Sequence, residues 1–298
     1  MIQKVENTKQ LVWLVTGASS GLGLALVKRI LARGDRVIAT ARTPSKLATL
    51  LPSASPDQLH AVHLDVTAPF ADIQHIIDSA ALHWGRIDVL VNNAGLIDTI
   101  GPGEELGTTD VFERVMATNF FGVVKCSNAV LPHMRARKAG TVVIVGSRSA
   151  YKTEVMGAGA YCASKAAVHA YGETLSAEVR SLNIRVTIII PGLFRTSFNC
   201  PSITSPSIAD YKSFHDTAPS YLKKRQSDSN AADPVKGMDV VVDVVRGEGR
   251  GMTEGKNGQW PLWVVLGDDA LVDVRERLSK LGETMKVWED VGRDLMVE

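Results

Sequence analysis

Tyr161 and Lys165 stand four residues apart in Tyr161-Cys162-Ala163-Ser164-Lys165, a spacing that sets both side chains on one face of a helix. A phenol so placed can donate a proton to a carbonyl oxygen as hydride reaches the carbon, or remove one in the reverse direction. An unperturbed phenol titrates near pH ~10, and bringing it to ~7 requires about 4 kcal/mol in favour of the phenolate. A neighbouring lysine ammonium acts in that direction. Ser147 and Ser149, at the end of the apolar run before this helix, offer hydroxyls for a substrate oxygen. Other candidates for chemistry are weaker. His60 and His63 lie around a predicted strand, His75 and His83 lie on a predicted helix, and no third ligand stands near them, so no metal site is expected. Cys126, Cys162 and Cys200 lack metal spacing, and their odd number opposes a disulfide framework. Lys223-Lys224-Arg225 reads as solvated surface.

These groups need a scaffold and a hydride source, and the start of the chain offers both. Leu11-Val12-Trp13-Leu14-Val15 is long enough for one buried strand, and Leu24 to Leu31 suits a helix packed on a sheet. Between them lies Thr16-Gly17-Ala18-Ser19-Ser20-Gly21-Leu22-Gly23. Strand, glycine-rich turn and helix form the context of a dinucleotide-phosphate site, with the helix N–H groups facing the phosphates. Strand and helix patterns alternate through the rest of the chain, which predicts one doubly wound α/β Rossmann domain over 1–298, a parallel seven-stranded sheet flanked by helices. The further strands are expected at Arg36–Ala41, Gln58–Leu64, Ile87–Val91, Thr141–Val145, Ile184–Ile190 and Pro261–Leu266. Helices are expected from Pro44, Pro69 and Pro234, over Thr109–Arg137, over Ala160–Leu182 and over Asp269–Val291. Residues 193–233 show no sustained period and lie past a central strand end, where ligands bind in such sheets, so they read as a substrate-covering flap. Its aromatics Phe194, Phe198, Tyr211, Phe214 and Tyr221 either suggest a fairly apolar substrate or pack inward. The C-terminal portion, 247–298, reads as a glycine-rich mobile loop to Gly258, then strand and helix.

A net charge of +1 indicates neither a nucleic-acid partner nor an acidic membrane surface, and no apolar run approaches the ~20 residues of a membrane span. The expectation is a cytoplasmic protein with a small-molecule substrate, assembling as a homo-oligomer.

The spacing Gly17-x-x-x-Gly21-x-Gly23 resembles the short-chain dehydrogenase/reductase family. So do Asn92-Asn93-Ala94-Gly95, Asn119 within Met116–Gly122, and Tyr161 with Lys165, in order from about Leu11 to Thr196. The resemblance implies an NAD(P)-dependent oxidoreductase in which Asn119, a serine, Tyr161 and Lys165 are catalytic. Asn119 would organise a water beside the lysine, and Lys165 would also hold the nicotinamide ribose. The cofactor would rest on Gly17, Ser19, Ser20, Gly21, Leu22 and Gly23, with Asp65 and Val66 at adenine. Asn93, Ala94 and Gly95 would support the adenine-ribose side, and Pro191, Gly192 and Thr196 the carboxamide. The family's usual spacing would put the serine at Arg148, which cannot do the job. Counting from Gly140 along the strand without a gap lands on Ser147, with Ser149 the alternative.

An NAD site places a carboxylate at the end of the second strand. Here that place reads Thr40-Ala41-Arg42, and a guanidinium suits a 2′-phosphate, so NADP(H) is the expected cofactor. Ser19-Ser20 lacks a second basic residue, which makes the preference clear but not extreme. The expected activity is reduction of an apolar ketone or oxidation of the corresponding secondary alcohol. Alternatives on the same cofactor site are reduction of an activated C=C bond and an epimerase or dehydratase. A non-catalytic nucleotide-binding scaffold would have no need of Tyr161, Lys165 and Asn119 together.

Overall fold

Seven short apolar runs, most of them rich in valine and isoleucine, become the strands of one parallel sheet. The computed structural model describes residues 10–107, 110–152, 154–196, 201–251, 260–293 and 295. In chain order the first elements are β1 (Val12–Val15), α1 (Gly21–Ala32), β2 (Arg36–Ala41), α2 (Ser45–Leu50), β3 (Leu59–His63), α3 (Phe70–Trp84), β4 (Val89–Asn92) and the two-residue β5 (Thr99–Ile100). Next come α4 (Asp110–Met116), a π-helical turn over Ala117–Phe121, α5 (Gly122–Arg137), β6 (Gly140–Val145), α6 (Gly159–Val179) and β7 (Ile184–Pro191). The remainder holds β8 (Ser202–Ile203), α7 (Lys212–Gln226), α8 (Pro234–Arg246), β9 (Trp263–Leu266) and α9 (Asp268–Trp288).

The strand order is β3-β2-β1-β4-β6-β7-β9, with every neighbouring pair parallel. Because successive strands run outward in both directions from β1 and β4, a crevice opens at their carboxyl ends. Both sheet faces are covered, which is why the strands are continuous apolar runs rather than alternating ones. On one face Ile73 and Ile77 of α3, Val130 and Met134 of α5 and Leu175 of α6 pack on Leu14, Leu90 and Ile144. On the other, Leu26 and Ile30 of α1 and Val241 and Val245 of α8 pack on Trp13, Val15 and Val91. Each such side chain contributes ~1.5–3 kcal/mol on burial. Helix α8 starts at Pro234 as expected, and both its ends are marked in the sequence. Asp233 Oδ1 accepts from Val235 N at 2.7 Å, Pro234 opens the first turn, and Gly247 closes the helix at φ 67°.

Several expectations are corrected. Helix α1 begins at Gly21, inside the glycine turn. The long helix expected from Thr109 is broken by the π turn, and Thr109 lies outside the described residues. Helix α6 gives way at Arg180 to a 3₁₀ turn closed by Asn183 at φ 57°. The stretch 193–233 is not without period: it holds α7, whose Phe214 and Ala218 are buried against Ile100 beside the β5–β8 ribbon. Of the glycine-rich loop, Gly249–Gly251 forms a 3₁₀ turn, and 252–259 lie outside the described residues. No described helix is long and apolar enough to cross a membrane.

Candidate active site

The glycine turn is shaped by contacts that leave no room for side chains. Gly17 has φ +65°, and a Cβ there would stand 2.9 Å from Ala94 Cα. Gly23 packs against the Asn93 amide and the Gly17 carbonyl. Asn93 Nδ2 donates to Thr16 O at 2.9 Å and Gly17 O at 3.1 Å, while Thr16 Oγ1 accepts from the N–H groups of Asn93 and Ala94, both at 3.0 Å. Asn93 and Ala94 therefore brace the turn from β4. Ser20, at the N-cap of α1, makes no side-chain capping bond, and among the described residues no side chain accepts from the first-turn N–H groups there. Free N–H groups at a helix start, with the macrodipole behind them, fit a phosphate.

A cavity of about 460 Å³ runs along the crevice, from Arg42 and Asp65 past Ser19, Gly21 and Leu22 to Ser147, Tyr161 and Lys165. Val66, Gly95, Pro191, Gly192 and Thr196 also line it. Asp65 accepts from Thr67 N at 2.9 Å and Thr67 Oγ1 at 2.7 Å. Burial pushes its carboxyl up, but these bonds and the nearby Arg42 charge outweigh burial, and the pKa falls. Arg42 itself is exposed and has no carboxylate within ion-pair distance among the described residues.

Helix α6 carries Tyr161 and Lys165 on one face, opposite Ser147 at the end of β6. Lys165 is buried and donates to Val145 O at 2.8 Å, with Nζ 5.8 Å from the Tyr161 ring centre. Burial lowers its pKa to about 8. Tyr161 is pushed above the ordinary phenol range by burial, and the Ser147 hydroxyl, then the charges of Arg225 and Arg148, oppose that rise. Ser147 is buried, and its Oγ accepts from Ser149 N at 3.1 Å. Ser149 also lines the cavity, half-buried. Asn119 sits in the π turn, fully buried. Its Oδ1 accepts from Leu96 N at 2.8 Å, and its Nδ2 donates to Leu96 O at 2.9 Å and Ser164 Oγ at 3.0 Å.

Several residues at the site carry no local sequence signal. His169, one further turn along the Tyr161–Lys165 face, accepts from Ser147 N at 3.2 Å through Nε2, and Gly146 leaves the space for it. Burial, aided by Lys165, lowers its pKa to about 4. Arg148 pairs with Asp269 at 3.2 Å and with Asp273, and Lys152 reaches Glu276 at 3.2 Å, so α9 holds the turn that follows Ser147. Asp269 also accepts from Leu193 N at 2.8 Å. Of the flap aromatics, Phe194 and Tyr221 line the cavity, Phe214 is buried away from it, Tyr211 donates to Glu104 at 3.0 Å, and Phe198 lies outside the described residues. Lys223 and Lys224 are exposed, but Arg225 is half-buried and turned into the cavity, contrary to the solvated-surface reading. The face Phe214, Ala218, Tyr221, Leu222, Arg225 has helical spacing, and that is the signal that could have found it.

The family pattern described as short chain dehydrogenase matches residues 11–205. The oxidoreductase BOA17 of Botryotinia fuckeliana (strain B05.10) is 33% identical over 289 residues, covering 95% of this chain and 97% of that protein. The crystal structure of a short-chain dehydrogenase from Streptomyces avermitilis superposes with a TM-score of 0.82 at 32% identity, over 97% of this chain and 100% of that one. The closed form of a serine dehydrogenase complexed with NADP+ superposes with a TM-score of 0.66 at 30% identity, over 78% of this chain and 88% of that one.

Proposed function

The chain belongs to the short-chain dehydrogenase family and is an oxidoreductase; on that premise we propose that it is an NADPH-dependent carbonyl reductase, acting on a ketone with an apolar body or on the corresponding secondary alcohol. The observation that carries this reading is the placing of Tyr161 with Lys165 and Ser147 in the cavity that the glycine turn also lines. A bound nicotinamide supplies the hydride. Tyr161, protonated at neutral pH because burial favours the neutral phenol, is the proton donor to the carbonyl oxygen. Ser147 holds that oxygen, with its Oγ lone pair engaged by Ser149 N and its hydroxyl hydrogen left to donate. Lys165 supports the phenol and the cofactor ribose. Asn119 positions the wall beside Lys165, since a Cβ on Gly95 would meet Asn119 Oδ1 at 3.4 Å and Lys165 Nζ at 3.6 Å.

The N–H groups of the glycine turn and the start of α1 would hold the cofactor phosphates, and a Cβ placed on Gly21 would meet only Thr196 Cβ, at 3.9 Å, among the described residues, so the turn leaves them space. Arg42 at the end of β2, with no acid in its place, supports NADP(H) over NAD(H), as does the NADP+ held by the serine dehydrogenase. The test is Tyr161→Phe, which keeps the ring and removes the hydroxyl. Turnover of a ketone panel should fall at least ~100-fold while NADPH binding, followed by its fluorescence, survives. Residual turnover near wild type in a folded variant rejects the assignment, and preference for enones over ketones transfers the site to C=C reduction.

A further inference from the structure

The cavity is one-sided in charge. Asp65 is the one acidic residue on its wall among the described residues, against the bases Arg42, Arg148, Lys152, Lys165, Arg195 and Arg225. Three of the six are bonded within the chain, and Arg42 and Arg195, which like Arg225 have no carboxylate partner among the described residues, are exposed. Arg42 stands near Asp65 at the far end, Arg148 and Lys152 are paired with carboxylates of α9, and Lys165 is bonded to Val145 O. Arg195 is exposed, reaching Ala231 O at 3.5 Å. Arg225 has no carboxylate partner among the described residues.

Its direction is set by the helix that carries it. Phe214 and Ala218 are the buried anchors of α7, and Leu222 packs partly against them. Arg225 follows Leu222 by three residues and Ala218 by seven, so the same face brings its guanidinium inward, with Tyr221 and Leu222 beside it on the cavity wall. It lines the same cavity as Tyr161 and Ser147, and its positive charge acts to lower the pKa of both Tyr161 and Cys162. A half-buried guanidinium without a counter-charge is a binding group in waiting, and its planar fork matches a carboxylate bidentately.

We infer that Arg225 binds a carboxylate on the substrate, which makes the substrate an oxo acid whose apolar body lies along Ile97, Val155 and Leu222. This rests on the reading of the site as a carbonyl reductase. The other anion within reach of this cavity is a cofactor phosphate, and the test separates the two.

The experiment measures kcat/KM of the full chain with NADPH for a panel of 2-, 3- and 4-oxo acids, each matched with its methyl ester. Wild type, Arg225→Met and Arg225→Lys are compared. Methionine keeps an apolar stem and a good helix former, and lysine keeps the charge without the fork. The wild type should favour at least one acid over its ester by ~10- to 100-fold, as one charge-assisted bidentate pair supplies. That acid-to-ester ratio should collapse to about unity in Arg225→Met and fall to an intermediate value in Arg225→Lys, with the KM for NADPH unchanged. A ratio that Arg225→Met does not move overturns the carboxylate. So does an equal loss for acid and ester with a raised KM for NADPH, which assigns Arg225 to a phosphate. Reduction of esters without any acid preference in the wild type overturns the carboxylate and leaves the carbonyl-reductase reading standing. Reduction of neither acids nor esters overturns both.

Discussion

Replacing Ser147 with Ala removes one hydroxyl facing Tyr161 while leaving the backbone on either side in place. The Ser147 N–H still donates to His169 Nε2, so the end of β6 keeps its position. What disappears is one donor to the oxygen that becomes an alkoxide, together with the acceptor of the Ser149 N–H. A hydrogen bond to a charged group is worth ~1.5–3 kcal/mol, which at ~1.4 kcal/mol per tenfold corresponds to a loss of ~10- to 150-fold in turnover. Removing a donor from a closed oxyanion site reaches 10²- to 10³-fold; because Tyr161 also donates to that oxygen, the lower range is expected. Ser149→Ala is the control. Its hydroxyl makes no hydrogen bond among the described residues, and its contribution to Ser147 comes from the backbone N–H, which alanine keeps. That variant should stay within ~3-fold of wild type. Steady-state NADPH oxidation at saturating ketone reads both, and a deuterated cofactor should give a larger isotope effect in Ser147→Ala as chemistry becomes limiting. The pH profile adds a sign. The Ser147 hydroxyl holds the Tyr161 pKa down, so its loss should carry the alkaline limb of reduction, where the phenol gives up its proton, to higher pH. If Ser149→Ala abolishes turnover and Ser147→Ala spares it, the register assigned to β6 and its exit turn is wrong.

Arg42→Ser should raise the KM for NADPH about tenfold with little change for NADH, a modest effect because the guanidinium is exposed; equal turnover with both cofactors in the wild type would contradict the 2′-phosphate assignment. Phe214→Ala should cost ~3 kcal/mol in urea melts, because the ring is buried against Ile100 and Ala218 rather than facing the cavity. Unchanged stability with altered substrate preference would return the ring to the cavity. His169 titrates at about 4 in the folded chain against an ordinary 6.5, so the unfolded chain takes up the proton first. Its contribution to stability should be full above about 6.5, decline as pH falls and be gone by about 4. Urea midpoints of wild type and His169→Asn across that range should converge on acidification, and a constant difference would exclude the neutral role.

Where the chain's own chemistry set the local structure, the sequence was readable. The seven apolar runs, the glycine turn and the Asp233-Pro234 start of α8 each carry their cause within a few residues, and the sheet and α8 follow. Tyr161 and Lys165 were legible for the same reason, being one helical turn apart. Helix α7 was hidden because its buried face is only Phe214, Ala218 and Leu222, set among charged residues and interrupted by Pro219, a helix breaker by rule. Its partner is a two-residue ribbon built from Thr99–Ile100 and Ser202–Ile203, which no local pattern joins. Arg225 reads as surface for the same reason, since without the helix there is no inward face. Arg148 and Lys152 could not be placed either, because the carboxylates that hold them lie on α9, beyond any spacing rule.

That dependence on α9 has a consequence for the chain as it is made. Arg148 must wait for Asp273, 125 residues further on, and at ~5–20 residues per second of synthesis that delay is ~6–25 s. Over much of the same interval β7 has its β6 partner but not β9, so a strand carrying Ile188, Ile189 and Ile190 forms the open edge of a nascent sheet. Unpaired apolar edges recruit other chains. The interval between emergence of β7 and arrival of β9 therefore leaves newly made chains open to association with one another through this edge, and slower translation of residues 192–262 would lengthen it.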